Sequence, residues 1–315
     1  MSHKILISDG LSQAGIDLLK AAGDVTVDPK IAPDALLAAL PEFDALIVRS
    51  RTKVTTQVIA AGRKLKVIGR AGVGVDNIDV AAALTAGVTV VNSPLAATIA
   101  VAELTLGLML DLARRTPAAD AAMKRGKWEK SAFMGDELSG KTLGLIGFGR
   151  IGAEVARRAR AFDMTIVAHD PYLSDGQIRD RGAEPASLEA LLQWSDYVSM
   201  HLPLTEGTRN LFNVQRLGLM KKGARLLCLA RGGVIDETAL AAALDSAHLA
   251  GAALDVFAIE PPTAGSIAEH PKVIATPHIG AQTREGQDRA GLAIAEEVLA
   301  VLQGREPHFK VLAND

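Results

Sequence analysis

Leu143-Gly144-Leu145-Ile146-Gly147-Phe148-Gly149-Arg150-Ile151-Gly152 decides how this chain folds. Leu143, Leu145 and Ile146 read as a buried strand, while Ile151, Val155, Ala159 and Phe162 recur at helical spacing on one face. The glycines therefore sit in a turn from strand to helix, with the GxGxxG spacing of a dinucleotide site. Gly147 permits the tight turn, Gly149 leaves the backbone open to a pyrophosphate, and Gly152 lets helix and strand pack closely. The helix N-terminus then offers N–H groups to phosphates. Met164 to Ala168 reads as the next strand, and Asp170 follows it, eighteen residues beyond Gly152. A carboxylate there accepts bonds from ribose hydroxyls and repels a 2′-phosphate. No arginine occurs in Pro171-Tyr172-Leu173, so the expected cofactor is NAD rather than NADP.

Working outward, short apolar runs alternate with helical patterns along the chain. Ile5-Leu6-Ile7, Ala45 to Val48, Val67-Ile68 and Val88 to Val91 precede the fingerprint. Tyr197 to Met200, Leu226 to Leu229, Ala252 to Val256 and Val273 to Thr276 follow it. Such alternation predicts α/β architecture with parallel sheets covered by helices. Because a fingerprint normally opens its nucleotide-binding unit, the first hundred or so residues form a separate α/β domain. Thr98 to Arg115 reads as a long helix, apolar on nearly all sides, which calls for burial against another domain or subunit.

The 315 residues suit two domains, and 49% hydrophobic residues suffice for two cores. With 34 basic and 36 acidic residues the net charge is −2, which argues against a bulk nucleic-acid binder. Cys228 is the only cysteine, so an intrachain disulfide is excluded and a reducing cytoplasm is expected. The apolar run after Met1-Ser2-His3-Lys4 is too short for a signal peptide, and Leu104 to Leu110 too short for a membrane span. No metal-ligand cluster is legible.

In an open α/β sheet ligands sit beyond the carboxyl ends of the strands. Three polar residues follow apolar runs there: Arg231 after Leu226 to Ala230, Glu260 after Asp255 to Ile259, and His278 after Val273 to Pro277. Oxidation of a hydroxy acid by a nicotinamide cofactor needs a base near neutral pKa, a carboxylate that fixes its tautomer, and a guanidinium for the substrate carboxylate. His278, Glu260 and Arg231 answer to those roles. Taken singly, each also reads as an ordinary core, turn or loop residue. His201 ends a strand as well, but Leu202-Pro203 after it looks more like a cofactor wall.

The chain resembles the D-isomer-specific 2-hydroxyacid dehydrogenases over nearly its whole length. The resemblance rests on Gly69 to Asn77, Gly126-Lys127-Trp128, Phe133-Met134-Gly135, the fingerprint, Ala230 to Gly233, Ala253 to Phe257 and Pro277 to Gly280. It implies catalytic roles for Arg231, Glu260 and His278. It also implies cofactor contacts from Val73, Arg150, Ile151, Asp170, Leu202, Leu229, Ala230, Asp255, Gly280 and Ala281, beside Gly147, Gly149 and Gly152. The implied fold is two doubly wound domains, a Rossmann-type NAD-binding domain (98–286) inserted in a flavodoxin-like substrate domain (1–97 and 287–315). Homodimerisation through the NAD-binding domains is implied too.

Substrate choice is expected from the first domain. Arg49-Ser50-Arg51 follows a buried strand and reads either as a solvated basic turn or as a phosphate site facing the inter-domain cleft. Gly72, Val73 and Gly74 add backbone N–H groups suited to a carboxylate. The leading expectation is oxidation of D-3-phosphoglycerate to 3-phosphohydroxypyruvate. Reduction of glyoxylate or hydroxypyruvate uses the same groups without the phosphate cluster, and an NAD-sensing corepressor-like protein is the reading from another class. Where the family often has Gly-Asn and a later serine, Pro94 to Ala100 has alanines, and with the sequence stopping at Asp315 no C-terminal regulatory domain is expected.

Overall fold

The computed structural model describes residues 2–312. The chain divides into two compact units, one holding everything up to Thr98 and from Ala281 onward, the other Ile99–Gly280.

In the first unit five parallel strands, β1 (His3–Ile7), β2 (Gly23–Val27), β3 (Ala45–Val48), β4 (Val67–Arg70) and β5 (Thr89–Asn92), lie in the order β2-β1-β3-β4-β5. The buried stretches of the central strands are apolar because both faces are covered. Leu6, Leu46, Val48, Ile68 and Val90 pack on one side with Leu36, Leu40 and Val58. Ile5, Ile7, Ala45, Ile47 and Val67 pack on the other with Ile16, Leu19, Ile294 and Val298. The last two belong to helix Arg284–Leu302, which returns to this sheet and approaches helix Gln13–Lys20 so closely that a Cβ on Gly15 would stand 2.5 Å from the Gly291 carbonyl oxygen. That packing draws residues 281–286 into the first unit. β2 escapes sequence reading because, as an edge strand, it is largely exposed and polar.

The second unit carries seven parallel strands: β6 (Thr142–Ile146), β7 (Thr165–His169), β8 (Glu184–Pro185), β9 (Tyr197–Met200), β10 (Arg225–Cys228), β11 (Gly251–Leu254) and β12 (Val273–Ala275). Their order is β12-β11-β10-β9-β6-β7-β8. The chain turns one way from β6 to β7 and the other way through β9, so β6 and β9 flank the point where strand order reverses. Helix Thr98–Arg114 buries Ala100, Val101, Leu106, Leu108, Met109 and Leu112. Within its own unit, Val101 lies against Gly280 and Leu112 against Gly251. Among the described residues no helix is long and apolar enough to cross a membrane.

Candidate active site

β6 runs into Gly147, whose φ of +83° lies in the left-handed region. A Cβ there would stand 2.4 Å from the His201 carbonyl oxygen, so both the turn and the neighbouring strand end require glycine. A Cβ on Gly152 would meet the Gly147 oxygen at 2.5 Å, which is what lets helix Arg150–Ala159 close on the strand. At Gly149 nothing lies within 4 Å of the Cβ position. Gly149 is also the N-cap and brings no side chain to the helix's first N–H groups. An open backbone at a helix N-terminus is a cradle for a pyrophosphate.

Asp170 follows β7 and takes the Phe148 N–H on Oδ2 at 2.8 Å and the Tyr172 N–H on Oδ1 at 2.9 Å. Arg181 Nη1 donates to the Phe148 carbonyl at 2.6 Å, so the middle of the fingerprint is held on both sides. A carboxylate has about four acceptor positions. Asp170 therefore retains capacity for a ribose diol.

The ends of β10, β11 and β12 carry the candidate chemistry. Gly232 approaches the next loop so closely that a Cβ would lie 1.8 Å from the Phe257 carbonyl oxygen, which sets the Arg231 loop against residues 257–260. Arg231 Nη1 donates to the Ala230 carbonyl at 2.8 Å. Glu260 is held by the Phe257 N–H on Oε1 at 3.1 Å, and its Oε2 meets His278 Nδ1 at 2.8 Å. With Nδ1–H donated to the carboxylate, His278 presents Nε2 as the free base. The imidazole is half exposed, as an accessible base must be.

His278 has φ +51°, unusual for a residue with a side chain. Asp255 explains how the loop stays there. Its carboxylate, 1% exposed, accepts from Thr276 Oγ1 at 2.6 Å and from the Ile279 and Gly280 N–H groups at 2.8 Å each. Both carboxylate oxygens of Asp255, an expected cofactor contact, are engaged by the loop that carries His278. Gly280 is buried beside it, and Leu202, Leu229, Ala230 and Ala281 are buried or half-buried around the same strand ends. His201 is unsuited to act as a base near neutrality, since burial pulls its pKa down to about 4 and Nε2 pairs with Ser199 Oγ at 2.9 Å. A cavity of about 340 Å³ lined by Leu110, Arg114, Asp136 and Asp163 lies at the amino ends of β6 and β7, the wrong end for this chemistry.

In the first unit the basic turn resolves into unlike members. Arg51 donates from Nε to Asp9 Oδ1 at 3.1 Å, from Nη1 to the Ile31 carbonyl at 3.2 Å, and from Nη2 to the Ser8 carbonyl. Three of the five Arg51 donors are thus engaged by its own chain. Ser50 is exposed. Arg49 is half-buried, and among the described residues its guanidinium makes no hydrogen bond. Burial lowers its pKa, and the Asp9 charge opposes that.

Arg70 was missed by the sequence reading. It ends β4 and pairs in register with Val48, the residue before Arg49, so the two arginines leave adjacent strand ends. Its guanidinium lies over Gly72, where a Cβ would fall 1.4 Å from Nη1. A strand ending on a charged residue before a glycine was the signal available. Val73 and Gly74 continue that turn, and the Val73 carbonyl accepts from Asn92 Nδ2 at 2.7 Å.

Residues 106–280 match the family described as D-isomer specific 2-hydroxyacid dehydrogenase, NAD binding domain. The chain belongs to the D-isomer specific 2-hydroxyacid dehydrogenases. Members similar to it include a D-3-phosphoglycerate dehydrogenase of Methanocaldococcus jannaschii, 48% identical over 302 residues, covering 96% of this chain and 58% of that one. D-3-phosphoglycerate dehydrogenase 2, chloroplastic, of Arabidopsis thaliana is 47% identical over 303 residues, covering 96% and 49%. The chain thus spans about half the length of the curated relatives it matches. A solved structure of a Thermus thermophilus protein superposes with TM-score 0.89 at 38% identity, covering 98% of this chain and 100% of that one. The dehydrogenase family's cofactor is NAD, and the open Gly149 backbone and the Asp170 acceptors fit it.

Proposed function

We propose that this chain oxidises D-3-phosphoglycerate to 3-phosphohydroxypyruvate. The observation that carries the chemistry is the 2.8 Å contact between His278 Nδ1 and Glu260 Oε2 at the strand ends of an NAD-binding domain. His278 Nε2 takes the hydroxyl proton, and Glu260 stabilises the imidazolium that forms. NAD held at the fingerprint would supply the acceptor for the hydride that leaves the carbon bearing that hydroxyl. Arg231 holds the substrate carboxylate and polarises the forming carbonyl without losing its charge. The choice of substrate is supported by the names of relatives such as those of Methanocaldococcus jannaschii, Arabidopsis thaliana and Bacillus subtilis, D-3-phosphoglycerate dehydrogenases at 44–48% identity over nearly this whole chain. It is also supported by Arg49 and Arg70 at adjacent strand ends, where two guanidiniums suit a phosphate.

We also propose a homodimer formed through the second unit, which leaves Met123, Trp128 and Met134 largely exposed. A cytoplasmic, reducing setting suits Cys228, a buried thiol whose pKa is pushed up to about 11.

The test is NADH formation with D-3-phosphoglycerate, D-glycerate, D-lactate and D-malate, together with NADH consumption on glyoxylate and hydroxypyruvate. The phosphorylated substrate is expected to give the highest kcat/KM. His278→Asn should lower kcat by about 10²–10⁴-fold while leaving NAD affinity nearly intact. Preference for glyoxylate or hydroxypyruvate would replace the substrate reading, and wild-type turnover by the asparagine variant would remove His278 as the base.

A further inference from the structure

We infer that Asp9 and Asn77 are positioning residues that set selectivity for a phosphorylated substrate by fixing the backbone on both sides of Arg49. The inference rests on the proposed role of Arg49 as a phosphate ligand.

Asp9 lies beyond the end of β1, 4% exposed, and accepts the Arg49 N–H at 2.6 Å and the Thr52 N–H at 3.2 Å on Oδ2. Its Oδ1 accepts Thr52 Oγ1 at 2.7 Å and Arg51 Nε at 3.1 Å. Asn77, also buried, works from the other side. Its Nδ2 donates to the Arg49 carbonyl at 2.8 Å and to the Thr52 carbonyl at 2.6 Å. The same two residues of the turn, 49 and 52, are therefore gripped at N–H by one side chain and at C=O by another. Ser8 Oγ, 3.1 Å from Thr52 Oγ1, ties the clamp to the next residue of the strand end.

A grip on both peptide groups of Arg49 fixes the direction in which its side chain leaves the backbone. That matters for this residue because its guanidinium is half-buried and, among the described residues, hydrogen-bonded to nothing. A cation drawn partly out of water and left with its donors open is arranged for an anion that arrives from outside. Holding it beforehand removes the ordering cost at binding. The Arg51 guanidinium, by contrast, is part of the clamp.

Asp9→Asn keeps the shape but sets an N–H₂ against either the Arg49 and Thr52 N–H groups or Arg51 Nε, and Asn77→Ala removes both donations without changing charge. Each variant is made alone and together with Arg49→Ala. The readout is the ratio of kcat/KM on D-3-phosphoglycerate to kcat/KM on D-glycerate, with a thermal melt confirming folding. Each single variant is expected to lower that ratio by about 10- to 100-fold, the range for weakening a charge-assisted hydrogen bond. In the Arg49→Ala background neither should lower it further, since a positioning residue has nothing left to position.

An unchanged ratio in folded Asp9→Asn and Asn77→Ala, or an equal further drop without Arg49, overturns the inference alone. A ratio unchanged by Arg49→Ala itself overturns the phosphate reading and the inference with it. Should Asp9→Asn fail to fold, the charge-neutral Asn77→Ala pair decides the matter.

Discussion

Three glycines of one loop should respond differently to the same added methyl group. At Gly149 the Cβ position has no atom within 4 Å, and the backbone, at φ −73° and ψ −151°, needs no left-handed angle. Gly149→Ala should therefore fold as well as the parent, or gain roughly 0.4–1 kcal/mol from a less flexible unfolded chain. At Gly147 the φ of +83° costs alanine roughly 1–2 kcal/mol. The approach of 2.4 Å to the His201 carbonyl adds overpacking of roughly 1–3 kcal/mol. Gly152→Ala bears a similar clash, at 2.5 Å from the Gly147 oxygen, without the conformational part.

For a unit of this size 1 kcal/mol is worth about 2–4 °C in Tm. Gly147→Ala should thus melt well below the parent, Gly152→Ala less far below, and Gly149→Ala within a few degrees. NAD binding should invert the order of interest. The methyl at position 149 occupies the space a pyrophosphate needs, and losing contacts to a charged group costs roughly 1.5–3 kcal/mol, or about 10- to 100-fold in Kd. Thermal melts without NAD and calorimetric titration with it measure both quantities. Wild-type affinity in Gly149→Ala would show that the phosphates do not cross this backbone. Equal melting temperatures for Gly147→Ala and Gly149→Ala would refute the steric argument.

Acid sensitivity should trace in part to His201. Its pKa in the folded protein is depressed to about 4 from an ordinary 6.5, so the unfolded chain binds the proton more readily. Its contribution is present above pH 6.5 and is lost as the pH falls toward 4, by as much as about 3 kcal/mol. Urea unfolding of the parent and His201→Asn between pH 7 and 4 should show a shallower pH dependence in the variant, and equal slopes would remove His201 from the account. Light scattering after size exclusion should give a dimer, and Trp128→Glu with Met134→Asp should shift it toward monomer. A monomeric parent at micromolar concentration would sink that proposal.

Much of the fold was written in local pattern. Strands covered on both faces carry apolar side chains toward both, so β1, β3, β6, β9 and β10 stand out as apolar runs, whereas the edge strands β2 and β8 have no such requirement and left no trace. The three glycines were legible because turn angle, open backbone and close packing are each demanded within six residues of chain. Arg231, Glu260 and His278 were legible as polar residues at the ends of apolar runs.

What the sequence could not show was which donor meets which acceptor. Asp9 and Arg51 are 42 residues apart and meet because β1 and β3 are neighbours in the sheet, so the guanidinium expected to face a phosphate also donates to a carboxylate of its own chain. Asp255 and Gly280, 25 residues apart, meet because β11 and β12 are paired, and the carboxylate expected at the cofactor also fixes the His278 loop. The sequence by itself determined the strands, the turn chemistry and the kind of cofactor, because these depend on near neighbours along the chain. The partners of each charge were decided by strand order, a property of the assembled sheet that no single segment contains.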